Sequence, residues 1–374
     1  MARHEKPEVA FVFPPSLCVK IGGGGGAERV ALSQVELLAG TYSARAYGRF
    51  LPRPDRRHQL RQLYSFGPGR LSLYSYYGHF ALAARRAVVW CSVGSAWPAL
   101  VNPAKTVVYL NGMPNTILPL TAKDGPLVRS RLRRATTVCG AEWIRSALLL
   151  KYPWLDPARC YAVPNAVDLS AFCPMGGDAD GGRGITVGYA GALDIETKQV
   201  DLLWRVAREV SPAPIRLLVA GSSDLWGVPV GDDGRLATLI GNPPPNMSLL
   251  GIVPHTQMPA FWRSVDVAIH TSRSESTPLC VLEAMACGKP VVAFGIPGVR
   301  ELVQDGQEGL LAEPFDVSQM VRSLQLLATS PDLRKRLGVA ARQKAERFSW
   351  EAHMGPLVNI FNRVAGGVNA RARL

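Results

Sequence analysis

Apolar residues in this chain come in short unbroken runs more often than in alternation. In the first half the runs are Val9–Phe13, Ala87–Val93, Thr106–Leu110, Thr136–Cys139 and Cys160–Val163. In the second half they are Ile185–Ala190, Ile215–Ala220, Ser248–Val253, Val265–His270, Pro290–Phe294 and Gly309–Ala312. Continuous apolar runs of this length suit strands buried on both faces. Helical patterns separate them, as at Ala27–Ala39 and along Val317–Val364, with a break at Ser330-Pro331. Such alternation predicts parallel sheets covered by helices, an α/β fold of doubly wound type. The stretch Arg49–Gly78 mixes Pro, Arg and Tyr and reads as a helix or loop.

At 374 residues the chain exceeds the size at which one core stops growing, so two domains are expected. The division reads as 1–168, a linker over 169–184, and 185–349. The linker centres on Met175–Gly184, whose glycines and polar residues favour flexibility. It contains Asp178-Ala179-Asp180, but no strand end is at hand to fix that triplet as a metal site.

Charge changes the picture of the first half. The net charge is +13; up to Asn165 there are 22 Lys and Arg against 8 Asp and Glu, and from Ala166 onward 20 against 21. The clusters are Arg45, Arg49, Arg53, Arg56, Arg57 and Arg61, and then Arg129, Arg131, Arg133 and Arg134. Guanidinium groups match phosphates geometrically, so an anionic membrane surface or a phosphate-bearing acceptor fits this half. Nucleic acid is not indicated, because zinc-finger spacing and RNA-binding aromatic motifs are missing. No apolar run approaches the ~20 residues of a membrane span. The N-terminus lacks a signal-peptide cleavage pattern. Seven cysteines stand singly, which points to reduced thiols and a cytoplasmic chain, and the basic first half places it peripherally on the inner membrane face.

The densest candidate chemistry lies at Ser272-Arg273-Ser274-Glu275-Ser276-Thr277-Pro278-Leu279-Cys280-Val281-Leu282-Glu283-Ala284-Met285-Ala286-Cys287-Gly288-Lys289-Pro290-Val291-Val292-Ala293. A strand precedes it, a polar loop opens it, and Leu279–Cys287 reads as a helix that starts at Pro278 and stops at Gly288. A strand end meeting a helix N-terminus is where α/β folds bind anions. Glu275 sits in the loop and Glu283 on the helix.

This segment resembles the signature of the retaining glycosyltransferases of the GT-B superfamily, family 4, written S-x-x-E-G-x-P-x-x-x-L-E-A-M-A-x-G-x-P-V-V-A. Glu275 and Glu283 hold its two acidic positions. The resemblance implies two facing Rossmann-like domains with a cleft between them, and a last helix, within 350–374, that crosses back onto the first domain. It implies a nucleotide-diphosphate sugar as donor, a lipid-linked or glycan acceptor, and neither cofactor nor metal. By the same resemblance Glu275 contacts hydroxyls of the donor sugar and Glu283 binds the ribose. Thr277 is among the donor-binding residues, the N–H groups of Leu279 and Cys280 face phosphate, and Val253, in the turn Gly251–His255, lies against the base. The run Gly22–Gly26 with Ala27-Glu28-Arg29 resembles the family's G-G-x-E-R opening, which puts Gly25 and Gly26 by the donor phosphate and Glu28 on the acceptor side.

Two departures from the pattern matter. Relatives grip the diphosphate with an Arg and a Lys in a segment like G-R-x-x-x-x-K. Here Lys198 fits the second position, while Ala192 or Leu193 stands at the first. Arg273 is the substitute at hand. Relatives also carry a His facing the acceptor, where this chain has Asn111. Asn is no general base, but retention on one face lets the leaving phosphate take the acceptor proton. His79, beside Tyr76 and Tyr77, reads as a core residue. Asn165-Ala166-Val167-Asp168 resembles the family's interdomain hinge turn. The expected activity is sugar transfer in cell-envelope polysaccharide or glycolipid assembly, with Glu275 and Lys198 as catalytic residues. The alternatives are a non-catalytic relative that binds sugar nucleotides, a nucleotide-sugar epimerase, or a phosphorylase.

Overall fold

The structure is a computed structural model that describes residues 8–12, 18–20, 43–51, 60–62, 88–92, 102–110, 126–174, 184–223 and 234–365. The glycine run with Gly25, Gly26 and Glu28, the helix at Ala27–Ala39, His79, Asn111 and the Asp178-Ala179-Asp180 triplet lie outside the described residues. The chain forms two units: one of Met1–Pro164 with Glu351–Leu374, and one of Asn165–Trp350.

The first unit holds β1 (Glu8–Val12), β2 (Cys18–Lys20), β3 (Ser43–Leu51), β4 (Leu60–Gln62), β5 (Val88–Ser92), β6 (Thr106–Leu110), β7 (Thr136–Cys139) and β8 (Cys160–Ala162). They pair in the order β2-β3-β1-β5-β6-β7-β8, with β4 on β3, and every pairing is parallel. Every residue of β6 and β7 is buried, as their unbroken apolar runs require. Over Arg49–Leu51 and Leu60–Gln62 the strands β3 and β4 correct the reading as helix or loop, and the rest of Arg49–Gly78 lies outside the described residues. Tyr, Phe and Leu in Ser43–Leu51 favour a strand, and the interspersed arginines masked that signal. Two helices follow in chain order, α1 (Pro126–Arg134) and α2 (Glu142–Lys151). Ile144 and Leu148, four residues apart on α2, pack with Val108, Leu110 and Cys139.

The second unit holds β9 (Ile185–Ala190), α3 (Val200–Glu209), β10 (Ile215–Ala220), α4 (Arg235–Gly241), β11 (Met247–Gly251), α5 (Met258–Arg263), β12 (Val267–His270), α6 (Leu279–Ala286), β13 (Val291–Phe294), α7 (Pro297–Arg300), β14 (Gly309–Ala312), α8 (Val317–Thr329) and α9 (Pro331–Ala345). The sheet order is β11-β10-β9-β12-β13-β14, all parallel. The chain winds one way from β9 and then restarts on its other side with β12. That reversal opens a crevice at the carboxyl ends of β9 and β12, where such sheets bind ligands. The helical tail breaks at Ser330-Pro331, and again at a 3-10 turn, Glu346–Phe348, before α10 (Trp350–Ala365). Residues 351–365 of α10 belong to the first unit, where Arg363 Nη1 donates to Tyr161 Oη at 3.2 Å.

The expected linker is corrected over its first residues. Phe172 is buried in the second unit's core, with Leu169 and Ala171 against it. Arg342 on α9 donates to Phe172 O (2.9 Å) and to Ala286 O at the end of α6 (2.8 Å). One guanidinium thereby fastens the incoming chain and caps the carboxyl end of the helix that carries Glu283. Gly338 permits the close packing of α9 here, since a Cβ would lie 2.3 Å from Gly288 O. Gly288 itself has φ +75°, the left-handed turn that stops α6.

Candidate active site

Loops leaving the carboxyl ends of β9 and β12 build the site. The β9 loop is shaped by Asp194, whose Oδ1 accepts the N–H of Glu196 at 2.8 Å and whose Oδ2 accepts the Thr197 hydroxyl. Gln199 then takes φ 49°, an unusual left-handed conformation for a non-glycine residue, and starts α3. The two loops are laced together: Thr271 Oγ1 donates to Lys198 O at 2.8 Å, and Arg273 N donates to Thr197 O at 2.9 Å. This lacing brings Lys198 onto Glu275.

Glu275 Oε1 accepts from Lys198 Nζ and from Ser272 Oγ (2.8 Å), and His270 Nε2 lies 3.5 Å away. Among the described residues no hydrogen bond goes to Glu275 Oε2, and the side chain keeps 16% of its exposure. One oxygen is therefore held by protein donors, and the other keeps its acceptor capacity for a ligand. Burial raises the carboxyl's pKa, but the Lys198 ammonium and then His270 outweigh it and hold it well below the carboxylate range. Burial works against the Lys198 ammonium too, and Glu275 reverses that, raising it. His270 is buried; desolvation lowers it, while Cys280 and Glu275 lift it to about 9.

Both shifts carry a sign for stability. Glu275 is depressed, so its contribution is complete above its ordinary pKa near 4.5 and is lost as acid titrates it in the folded chain. His270 is raised, so its contribution is complete below 6.5 and is lost as pH rises through about 9. That shift is worth on the order of 3 kcal/mol. The fall in unfolding free energy between pH 6.5 and 9.5, measured by urea titration, is expected to be steeper in the wild type than in His270→Leu.

Helix α6 begins behind this cluster. Its N-cap, Pro278, has no side-chain cap bond, so the first N–H groups, at Leu279 and Cys280, open to a ligand with the favourable end of the helix dipole. Thr277 is buried, and its carbonyl accepts Asn165 Nδ2 at 2.7 Å, which anchors the expected hinge turn on this loop. Glu283, one turn beyond Cys280, is buried at 3% exposure. Its Oε1 lies 3.1 Å from His255 Nε2, and its Oε2 accepts from Trp262 Nε1 at 3.3 Å. His255 follows the turn Gly251–Pro254 that holds Val253, and Gly251 takes φ +67° there. The loop ends are drawn together: Gly221 N donates to Gly251 O at 2.8 Å, and a Cβ on Gly221 would come 1.9 Å from Gly191 O.

Lys198, Glu275, Leu279 and Cys280 are thus brought together, with Glu283 and Val253 on the elements beside them. Arg273 reaches elsewhere: its guanidinium lies over the Phe315 ring at 5.6 Å, on a residue with φ 72°. At the position of the missing Arg, Ala192 offers only a carbonyl, which accepts Tyr189 Oη at 3.0 Å. Sequence reasoning missed Asp194, His255, Trp262, His270, Ser272 and Gly298. The spacings Asp194-x-x-Thr197 and Ser272-x-x-Glu275 carried a local hydrogen-bonding signal, whereas His255 and Trp262 meet Glu283 only in the folded chain.

Residues 184–330 match the family model described as Glycosyl transferases group 1. The D-inositol 3-phosphate glycosyltransferase of Rhodococcus erythropolis is 31% identical over 227 residues, covering 57% of this chain and 50% of that protein. The chain thus spans about half the length of the curated relatives it matches. Among solved structures, sucrose-phosphate synthase from Thermosynechococcus elongatus superposes with a TM-score of 0.75 at 19% identity, over 95% of this chain and 98% of that one. HepE from Anabaena, in complex with UDP-glucose, gives 0.70 at 18% identity, over 96% and 98%. Residues 184–330 thus match the model of the glycosyl transferases group 1, and the chain has the fold of the GT-B glycosyltransferases.

Proposed function

We propose that this chain transfers a sugar from a nucleotide-diphosphate donor to an acceptor hydroxyl, with retention of anomeric configuration and without a metal. The observation that carries the reading is Glu275 at the β9–β12 crevice, one oxygen fixed by Lys198 and Ser272 and the other open. The open oxygen accepts sugar hydroxyls beside the reacting carbon. The diphosphate lies against the N-terminus of α6 and the Lys198 ammonium, which offset the charge that grows on the leaving oxygen. The acceptor oxygen bonds to the anomeric carbon as the carbon–phosphate-oxygen bond breaks, and the departing phosphate takes the acceptor proton. Glu283 holds the ribose hydroxyls, and the turn at Val253 holds the base.

The basic first half supports an anionic or membrane-held acceptor, a lipid-linked or growing envelope glycan. The matched relative is named for an inositol phosphate acceptor, which accords with a phosphate-bearing acceptor here. On α1, Arg129, Arg133 and Arg134 are exposed beside Leu127 at 70% exposure, a composition suited to an anionic lipid surface. Among the described residues no helix is long and apolar enough to cross a membrane. Binding to phosphatidylglycerol vesicles is expected to weaken strongly between 50 and 300 mM salt, about tenfold or more, and further in Arg129→Ser with Arg133→Ser. Vesicle flotation measures it.

The test is thermal unfolding against UDP, GDP, ADP, CDP and dTDP, repeated with Glu283→Gln. Ligand at ~100 times its dissociation constant adds about 2.7 kcal/mol. One nucleotide is expected to stabilise the chain, and the substitution is expected to abolish that shift, because an amide cannot accept two ribose hydroxyl bonds while facing Trp262 and His255. No response to any nucleotide favours the non-catalytic reading, which the missing Arg at Ala192 supports.

A further inference from the structure

His270 is a buried imidazole in a site whose chemistry, as derived above, does not use it. It ends β12 at 3% exposure, and its two nitrogens face two different groups. Nδ1 lies 3.6 Å from Cys280 Sγ on the first turn of α6, and Nε2 lies 3.5 Å from Glu275 Oε1. Nε2 is fully buried and makes no hydrogen bond among the described residues, an arrangement that costs free energy in the donor-free chain and that a hydrogen bond to Glu275 would relieve.

The second state follows from Lys198. In the donor-free chain its ammonium lies on Glu275 Oε1. A donor diphosphate carries more charge than a single carboxylate and draws the ammonium toward itself, which strips Glu275 of its main partner when its position matters most. The group already behind Oε1 is His270. We propose that His270 is the positioning residue of Glu275: as Lys198 turns to the donor diphosphate, the His270 Nε2–H closes onto Oε1, and Cys280 fixes the imidazole by occupying Nδ1. This rests on the donor-site reading above.

The assignment explains why a thiol stands where the helix needs only a backbone N–H. With Nδ1 engaged by Cys280, the proton on Nε2 points at Glu275 in the protonated imidazole and in the neutral tautomer alike. The titratable groups that act on the imidazole are Cys280 from α6 and Glu275 from the β12 loop, and Glu275 in turn carries Lys198 from the β9 loop. The raised titration of His270 accords with that surround.

The experiment has two arms. In the first, long-range nitrogen–proton spectra of donor-free protein with labelled histidine are recorded from pH 6 to 10.5, with His270→Leu for assignment. A proton on Nε2 throughout and a midpoint near 9 are expected. A neutral ring at pH 7 with its proton on Nδ1 overturns the proposal, since Nε2 then has nothing to donate. In the second, whichever of UDP-glucose or GDP-mannose the wild type turns over is followed in His270→Leu and His270→Gln, alongside the affinity for the free nucleotide. Turnover in His270→Leu is expected to fall about 10–100-fold with nucleotide affinity unchanged, and His270→Gln, whose amide nitrogen reaches the Nε2 position, recovers part of it. Equal turnover in His270→Leu, or nucleotide affinity lost in step with turnover, overturns it. A wild type that binds no nucleotide sinks the donor-site reading and this proposal with it, whereas a wild type that binds nucleotide and fails either arm sinks the proposal alone.

Discussion

Glu275→Gln lowers sugar transfer about 10²–10³-fold and leaves nucleotide affinity within about threefold. The substitution keeps the shape of the side chain and removes its charge. Oε1 accepts from Lys198 Nζ and Ser272 Oγ, and the imidazole of His270 lies 3.5 Å away. An amide offers one acceptor oxygen, which can serve the protein donors or the sugar but not both. Positive charge developing at the anomeric carbon also loses the carboxylate beside it. Steady-state kinetics with saturating donor reads the fall in kcat, and calorimetry with the free nucleoside diphosphate reads the retained affinity. The same variant loses stability, because Lys198 and His270 are left facing a neutral group in a mostly buried site. Breaking such a pair costs several kcal/mol when it is fully buried, and roughly half that is expected at the observed exposures of 27% for Lys198 and 16% for Glu275. The two effects separate by measurement: the first is read at saturating donor, the second by urea unfolding.

Gly298→Ala lowers turnover about 100-fold without touching any polar group of the site. Gly298 lies on the short helix α7, and a Cβ there would sit 2.2 Å from Ser276 O and 2.3 Å from Glu275 O. Both contacts are to backbone, so no side chain can swing away. Either α7 retreats from the sheet, where Val299 is buried in the core, or the Glu275 loop moves outward. The second is easier, because the loop is polar and partly exposed while α7 is packed. Displacement by about 1 Å is enough to misplace Glu275 relative to a bound sugar. Overpacking adds about 1–3 kcal/mol of destabilisation. Since the residues proposed to hold base and ribose, Val253 and Glu283, lie on other elements, nucleotide binding is expected to survive, and turnover and binding to respond differently. A Gly298→Ala enzyme with wild-type kcat places the Glu275 loop outside the reaction.

Much of this architecture was legible because parallel strands buried on both faces have to be apolar runs. Each of the second-half runs became a strand, with ends moved by a few residues: the run at Ser248–Val253 is β11 at Met247–Gly251, and that at Val265–His270 is β12 at Val267–His270. The strand β3 was hidden because Arg45 and Arg49 interrupt its apolar residues, so charge dominated the reading. The residues at 169–174 looked like linker because Pro, Cys and a following glycine run carry no periodicity. Their order comes from tertiary contacts alone: Phe172 in the core and Arg342 from α9. In the candidate site, the signature segment supplied Glu275, Glu283 and the first turn of α6, and the separate segment at Gly191–Gln199 supplied Lys198. Neither could supply His270 or His255, because each matters through a partner brought near by folding: Glu275 and Cys280 for the first, Glu283 for the second. Arg273 shows the opposite failure. Adjacent in sequence to the site, it extends its guanidinium to Phe315, which sequence distance does not reveal.

The central claim is that Glu275 works on a sugar whose nucleotide Glu283 holds. The most direct measurement is release of nucleoside diphosphate from UDP-, GDP-, ADP-, CDP- and dTDP-sugars by the wild type, Glu275→Gln and Glu283→Gln, with the affinity for each free nucleotide measured alongside. The expected result is turnover of one donor class by the wild type, turnover lost with nucleotide affinity kept in Glu275→Gln, and nucleotide affinity lost in Glu283→Gln. A wild type that binds a nucleotide and cleaves none of these donors, or a Glu275→Gln variant that turns over donor as fast as the wild type, contradicts it.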